Sequence, residues 1–241
     1  MFEKVFLSVV IPAYNEEMNI SDTLGDIKGY LDGKDFTYEV IVIDDGSGDD
    51  TVMKARRFRD KLDNLNVIES RPNRGKGYVL KKAIMEARGD YILFMDADNS
   101  TSIREMDSFL PLFEKGFDIY IASRRIPGAR VSMPASREVM GKVYITLARM
   151  LLGVKVSDVN CGFKVFRREA AREVFSRQTM DDWSFDAEVL HIAGKRKYSI
   201  REVPVRWVYK DTSKVRPLAD ALKSFKSLFA IRMKDLKGIY G

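Results

Sequence analysis

The chain has 241 residues, 45 % of them hydrophobic and 32 % charged, which suits one substantial domain with its own core and excludes wholesale disorder. A single cysteine, Cys161, and a single histidine, His191, exclude a disulfide framework and any metal centre built from those residue types. The formal charge of +6, from 41 basic and 35 acidic residues, admits nucleic acid, an anionic membrane surface or phosphorylated small molecules as partners.

From the N-terminus, Glu3 and Lys4 lead straight into a strand-like run rather than a secretory leader. Apolar, β-branched runs at 6–11, 38–44, 65–69, 91–95 and 118–122 predict strands covered on both faces. Between them, Ile20, Leu24, Ile27 and Leu31 recur at helical spacing, and 51–62 and 78–87 also predict helices. A helix is also expected near 104–113. Strand–helix alternation predicts a parallel sheet, in which ligands bind beyond the carboxyl ends of the strands. The segment 126–136, with Pro127, Gly128 and Pro134, is expected to be a mobile loop. A helix over about 137–152, a strand near 163–166, a helix near 185–193 and a strand ending at Trp207 follow. In the tail, Leu218, Leu222, Phe225, Phe229 and Met233 lie about one turn apart with lysines on the flanks. Residues 216–241 hold six basic side chains against Asp220 and Asp235, so this segment carries +4 of the +6. The expected organisation is a main unit over 1–215 and a basic amphipathic segment over 216–241 belonging to the same domain. No apolar run approaches the ~20 residues of a membrane-spanning helix.

Unusual polar residues stand at three strand ends: Pro12-Ala13-Tyr14-Asn15-Glu16, Asp44-Asp45-Gly46-Ser47 and Asp96-Ala97-Asp98. Two carboxylates on alternate residues cannot both be buried uncompensated, because unpaired buried charge is very costly. Oxygen ligands of that kind suit Mg²⁺ or Mn²⁺ shared with substrate phosphates, and a strand terminus with a capping Asp is the plainer alternative. Asp45 is placed to accept hydrogen bonds from a base or ribose, although a turn before a helix would also use it. Arg74-Gly75-Lys76-Gly77 pairs close-approach glycines with two cations, as phosphate or base contact requires; a basic loop is the alternative. There is no Gly-x-x-x-x-Gly-Lys-Ser/Thr loop and no complete Gly-x-Gly-x-x-Gly, which counts against a P-loop nucleotidase and a typical dinucleotide oxidoreductase. His191 is expected on a packed helix face and Cys161 in the core. Trp207 is either a stacking platform or an ordinary strand aromatic.

Together, Val10-Ile11-Pro12-Ala13-Tyr14-Asn15-Glu16, Asp44-Asp45-Gly46-Ser47, Asn73-Arg74-Gly75-Lys76-Gly77 and Met95-Asp96-Ala97-Asp98 resemble glycosyltransferase family 2. The later segments Ser123-Arg124, 158–166, Trp183-Ser184-Phe185-Asp186-Ala187-Glu188, 202–207 and Ser213-Lys214 resemble its polyprenyl-phosphate branch, in particular the dolichyl-phosphate glucosyltransferases. The resemblance runs from about residue 6 to 241. It implies an α/β fold of the GT-A type, with a mixed, mostly parallel central sheet flanked by helices. It implies a metal-dependent inverting transfer of glucose from UDP-glucose to dolichyl or polyprenyl phosphate. GDP-mannose as donor, a polysaccharide or glycolipid acceptor, and a nucleotide-sugar-binding regulator without catalysis are the alternatives.

On that resemblance Pro12, Ala13, Tyr14, Glu16 and Ala97 line the donor pocket, and Asp45 contacts the base. Asp96 and Asp98 hold the diphosphate through Mg²⁺ or Mn²⁺, with Lys76 and Lys214 near the phosphates. Arg124, Arg137 and Ser213 face the acceptor phosphate, and Asp158 sits beside the sugar as a catalytic residue, orienting or electrostatic, with a base role as the alternative. Ser100 stands where dolichyl-phosphate mannose synthases usually carry Gln, which leans toward the glucosyl branch. A lipid acceptor further implies a peripheral enzyme at the cytoplasmic face of a membrane, with the basic tail against anionic lipid and 139–152 as a second candidate contact; a tail packed on the domain with solvated lysines is the alternative.

Overall fold

A computed structural model describes residues 4–209 and 217–241, excepting the side chains of 135–137 and 217–224. Seven strands form the central sheet in the order β3-β2-β1-β4-β7-β5-β8. They are β1 (Leu7–Ala13), β2 (Tyr38–Asp44), β3 (Leu65–Glu69), β4 (Tyr91–Met95), β5 (Ile119–Ser123), β7 (Phe163–Arg167) and β8 (Ile200–Pro204). Neighbours pair in parallel except β7, which runs antiparallel between β4 and β5. The sheet is therefore mixed and mostly parallel. A second, two-stranded sheet joins β6 (Arg130–Ser132) to β9 (Arg206–Val208).

Alternate residues of each strand feed two cores, as a sheet covered on both faces requires. Val10, Ile41, Ile43, Ile92, Phe94 and Phe166 face one layer, built on α3 (Lys76–Glu86), α5 (Ala135–Leu152), α6 (Arg168–Arg177), α7 (Phe185–Lys195) and α8 (Pro217–Leu236). Leu7, Val9, Ile11, Val42, Leu93 and Val165 face the other. That side is covered by α1 (Ile20–Leu31), α2 (Thr51–Arg56) and a run of short turns around α4 (Met106–Phe109). Leu228, Ile231 and Tyr240 are buried in the first layer, so the C-terminal segment is packed onto the sheet unit.

Several elements differ from expectation for identifiable reasons. The helix expected over 51–62 ends at Arg56 and continues as hydrogen-bonded turns, because only Thr51, Ala55 and Leu62 of that stretch are buried. The stretch expected near 104–113 splits into 3₁₀ and α turns, with Pro111 opening the final 3₁₀ segment. The segment expected to be a mobile loop contains β6, and Tyr209 N donates to Ser132 O at 3.0 Å beside it. The strand expected to run to Trp207 breaks at Pro204, which ends the ladder with β5; the chain then continues in the small sheet as β9. Helix α6 was not anticipated. Among the described residues no helix is long and apolar enough to cross a membrane.

Candidate active site

The carboxyl ends of β1, β2 and β4 open on one cleft of about 420 Å³. The loops that leave these strands are stitched to one another. Asn15 N donates to Ser47 Oγ at 2.8 Å, Glu16 N to Thr51 Oγ1 at 2.7 Å, and Gly48 N to Asn15 Oδ1 at 2.9 Å. Asp45 ties in the third loop: its Oδ1 accepts from Arg74 N and its Oδ2 from Gly75 N, both at 2.8 Å. Asn73 Nδ2 adds a bond to Asp45 O at 2.9 Å. Burial raises the Asp45 carboxyl above its ordinary pKa, although the two backbone N–H groups oppose that shift. Each Asp45 oxygen can still accept a further bond, so clamping the loop leaves room for a ligand contact.

Gly75 permits this loop. Its φ is +107°, and a Cβ there would lie 2.4 Å from Asp181 O. Asp181 O instead accepts Gly77 N at 2.8 Å, satisfying one of the open N–H groups at the start of α3. Lys76, the first residue of α3, projects into the cleft and pairs with Asp96 Oδ1. Burial pulls its pKa down, but Asp96, Asp186 and Asp98 together outweigh burial, and the net shift is upward.

Asp96 follows β4 and is seated by Gly162, the residue just before β7. Asp96 N donates to Gly162 O at 3.1 Å, and a Cβ on residue 162 would fall 2.0 Å from Asp96 Oδ2. Only glycine leaves space for that carboxylate. Asp98 Oδ1 accepts Ser100 N at 2.8 Å; burial first, and then the neighbouring Asp96 charge, raise the Asp98 pKa. Among the described residues no group of three or more His, Cys, Asp or Glu side chains gathers as a metal site. Asp96 and Asp98 would therefore hold a divalent ion as a carboxylate pair, with substrate oxygens and water completing its shell. Hard oxygen donors, a glycine cradle and a carboxylate held against its own neighbour's charge fit Mg²⁺ or Mn²⁺.

The cleft also gathers Pro12, Ala13, Tyr14, Glu16 and Ala97 on the same wall. Arg124, after β5, lines it as well, with its guanidinium 5.3 Å from the Trp207 ring centroid. Asp158 does not line the cleft. It is fully buried behind Arg124, whose backbone N, Nε and Nη2 donate to its carboxylate at 3.0, 2.7 and 2.9 Å, while Asn160 N adds 3.2 Å. Burial would raise the Asp158 pKa, yet Arg124 more than offsets it and holds the carboxyl below its ordinary value. Both oxygens of Asp158 accept from Arg124, the arrangement of a residue that orients the guanidinium. Ser213, Lys214 and the side chain of Arg137 lie outside the described residues.

Three features went unassigned in the sequence. Trp183, 59 % exposed, stands at the cleft with its ring centroid 5.0 Å from Lys76 Nζ. Val79 packs at the cleft floor as an ordinary helix residue. Lys164, wholly buried on β7, donates to Cys161 O at 2.7 Å and to Asp186 Oδ1. A lysine inside the apolar run Phe163–Phe166 was the available signal, since such a charge survives burial only when paired. His191 is buried, with Nδ1 2.7 Å from Leu152 O, and Cys161 is in the core.

The family model described as Glycosyl transferase family 2 matches residues 8–175. A dolichyl-phosphate beta-glucosyltransferase of Dictyostelium discoideum is 31 % identical over 252 residues, spanning 99 % of this chain and 77 % of the relative. The protein of the same name from Homo sapiens is 35 % identical over 253 residues, spanning 97 % and 77 %. Among solved structures, glucosyl-3-phosphoglycerate synthase from Mycobacterium tuberculosis in complex with UDP superposes with a TM-score of 0.69 at 22 % identity, covering 95 % of this chain and 79 % of that one. The same enzyme with Mn²⁺, UDP-glucose and phosphoglyceric acid gives a TM-score of 0.68 at 21 % identity, covering 98 % and 80 %. At these identities the structures establish the fold, which is of the GT-A type.

Proposed function

This chain belongs to glycosyltransferase family 2, and from that footing we propose that it moves glucose from UDP-glucose to a dolichyl or related polyprenyl phosphate, inverting the anomeric carbon. Relatives named dolichyl-phosphate beta-glucosyltransferase, 31–35 % identical across nearly the whole chain, are the observation that carries this reading. The cleft supports it chemically. A lipid monophosphate carries roughly −1.5 to −2 charge at neutral pH, so it is already a nucleophile and needs no strong general base. One phosphate oxygen attacks the anomeric carbon, the bond from that carbon to the β-phosphate oxygen breaks, and UDP departs with the electron pair. Bound through Asp96 and Asp98, Mg²⁺ or Mn²⁺ would neutralise charge growing on the leaving diphosphate. Lys76 adds a second positive charge on that side, where preorganised cations stabilise a developing anion without reorganisation. Arg124 faces the acceptor phosphate, held in a fixed fork by Asp158. Pro12, Ala13, Tyr14, Glu16 and Asp45 contact the nucleoside.

Incubation with polyprenyl phosphate and a panel of UDP- and GDP-sugars, followed by assay of the lipid fraction, tests the assignment. Glucose on lipid from UDP-glucose is expected. Transfer only from GDP-mannose selects the mannosyl alternative, and hydrolysis without lipid product defeats both.

A lipid acceptor also requires the cleft to meet a bilayer, and 216–241 is the proposed contact within the same domain. On α8, Phe229, Met233 and Leu236 are 59, 53 and 64 % exposed, with Lys226 and Lys237 also exposed. That pattern suits an interfacial helix attracted to anionic lipid. Deleting the segment would also remove buried Leu228, Ile231 and Tyr240, so substitution is the cleaner test. Replacing Phe229, Met233 and Leu236 together with serine is expected to cut co-sedimentation with anionic liposomes several-fold while UDP binding survives. Unchanged co-sedimentation would remove α8 from the membrane contact.

A further inference from the structure

Lys76 is placed to do more than neutralise phosphate. The backbone on either side of it is clamped: a Cβ on Gly75 would lie 2.4 Å from Asp181 O, and one on Gly77 2.3 Å from Met180 O. Its side chain is the part that enters the cleft. The ammonium passes 5.0 Å from the Trp183 ring centroid and 5.8 Å from that of Phe185, and it pairs with Asp96, the same carboxylate that would hold the divalent ion. Asp186 and Asp98 act on it as the next carboxylates, while Asp186 is itself paired with Lys164. Arg124 is committed to Asp158.

A divalent ion on Asp96 would bring two positive charges to a carboxylate that already holds an ammonium. Such charges in a partly desolvated cleft repel strongly, so ion and ammonium compete for Asp96. Asp186 offers Lys76 little alternative, because its carboxylate is engaged by Lys164. A diphosphate offers a better one, being a dense anion on the same side of the cleft.

We propose that Lys76 is a built-in counter-ion that occupies Asp96 until it is drawn off by the nucleoside diphosphate, so that divalent ion and diphosphate load together. This rests on the reading of Asp96 and Asp98 as the ion's ligands. It makes Lys76 a coupling residue between two ligands as well as a phosphate contact. Coupling of this kind is reciprocal: the diphosphate tightens ion binding by the same factor as the ion tightens diphosphate binding.

Electron paramagnetic resonance of free Mn²⁺, titrated with the full chain with and without UDP, tests the coupling directly. In the wild type, Mn²⁺ alone should bind weakly and UDP should tighten it. Lys76→Met, which keeps the stem and removes the charge, should bind Mn²⁺ alone about 5- to 100-fold more tightly and lose a matching part of the enhancement by UDP. Lys76→Arg should keep the wild-type pattern. A residue that only contacts phosphate would weaken UDP binding on removal without any gain for Mn²⁺ alone. Mn²⁺ affinity of Lys76→Met no tighter than wild type therefore overturns the proposal. Lys76→Gln, checked for folding by circular dichroism, serves if the methionine variant does not fold. The gained binding must vanish in Lys76→Met/Asp98→Asn. Its persistence there, or failure of every form to bind Mn²⁺ with UDP, would overturn the ligand assignment itself and this proposal with it.

Discussion

Asp98→Asn is expected to lower sugar transfer by about 10²- to 10³-fold while leaving the fold intact, the scale on which removal of one preorganised electrostatic group acts. The two halves of that expectation have one cause. Burial and the charge of Asp96 raise the Asp98 pKa in the folded chain. A carboxyl whose folded pKa lies above its unfolded value costs stability once pH rises through the carboxylate range, because the folded chain holds the proton more tightly. Asparagine removes the charge that is disfavoured, and its side-chain oxygen can still accept Ser100 N. In metal-free buffer at pH 7 the variant should therefore melt at the wild-type temperature or above it. The gap should close as pH falls toward the range where Asp98 is protonated in both states. What asparagine cannot supply is the anionic oxygen a divalent ion needs. Thermal melts in EDTA set beside lipid-linked product formation with Mg²⁺ or Mn²⁺ make the comparison. Near-normal turnover would exclude Asp98 from the metal site, and a large loss of stability would show that the carboxylate is structural. A site group that costs stability in the empty protein is the usual trade between function and fold.

The same strand ends show how far the sequence could be read. β2, β3 and β4 were legible to the residue because β4 is a continuous apolar run, β2 nearly so, and β3 carries Leu65, Val67 and Ile68, each with a turn or polar cluster behind it. Asp45, Lys76, Asp96 and Asp98 fall together because the topology of a parallel sheet puts successive strand ends on one edge. What escaped was decided by contacts distant in sequence. The antiparallel course of β7 is a matter of which strands it enters between, and Phe163–Arg167 is equally apolar in either direction. β6 has three exposed residues and no hydrophobic signal. Half of α6 is charged, so it lacks the apolar run of its neighbours, although its buried Ala170, Ala171, Val174 and Phe175 form a clear helical stripe that was there to be read. Asp158 and Arg124 are 34 positions apart, so no local pattern could reveal that one accepts three hydrogen bonds from the other.

Their union leads to the largest stability effect expected at this site. Asp158→Asn should destabilise the protein by roughly 3–5 kcal/mol, because removing one partner of a buried ion pair leaves the other desolvated and unpaired. For a chain of this length that corresponds to a fall in melting temperature of about 10 °C. Asp158 is wholly buried and accepts three bonds from Arg124, whose side chain is itself largely covered. The sign of the pH dependence follows from the Asp158 pKa lying below its ordinary value. Its stabilising contribution is complete above the unfolded carboxylate pKa of about 4 and is lost as pH falls through the folded one. Wild type and Asp158→Asn should therefore differ most at neutral pH and converge in acid. Activity separates a positioning role from a base. If Asp158 acts only by holding Arg124, its loss should raise KM for the lipid phosphate, spare UDP binding and leave the shape of the kcat–pH profile unchanged. Asp158→Asn combined with Arg124→Met should then be no worse than the single variants, since residues that act as one unit are not additive. Additive losses in kcat, with a changed pH profile, would instead give Asp158 a direct part in the chemistry and require Arg124 to move aside during turnover.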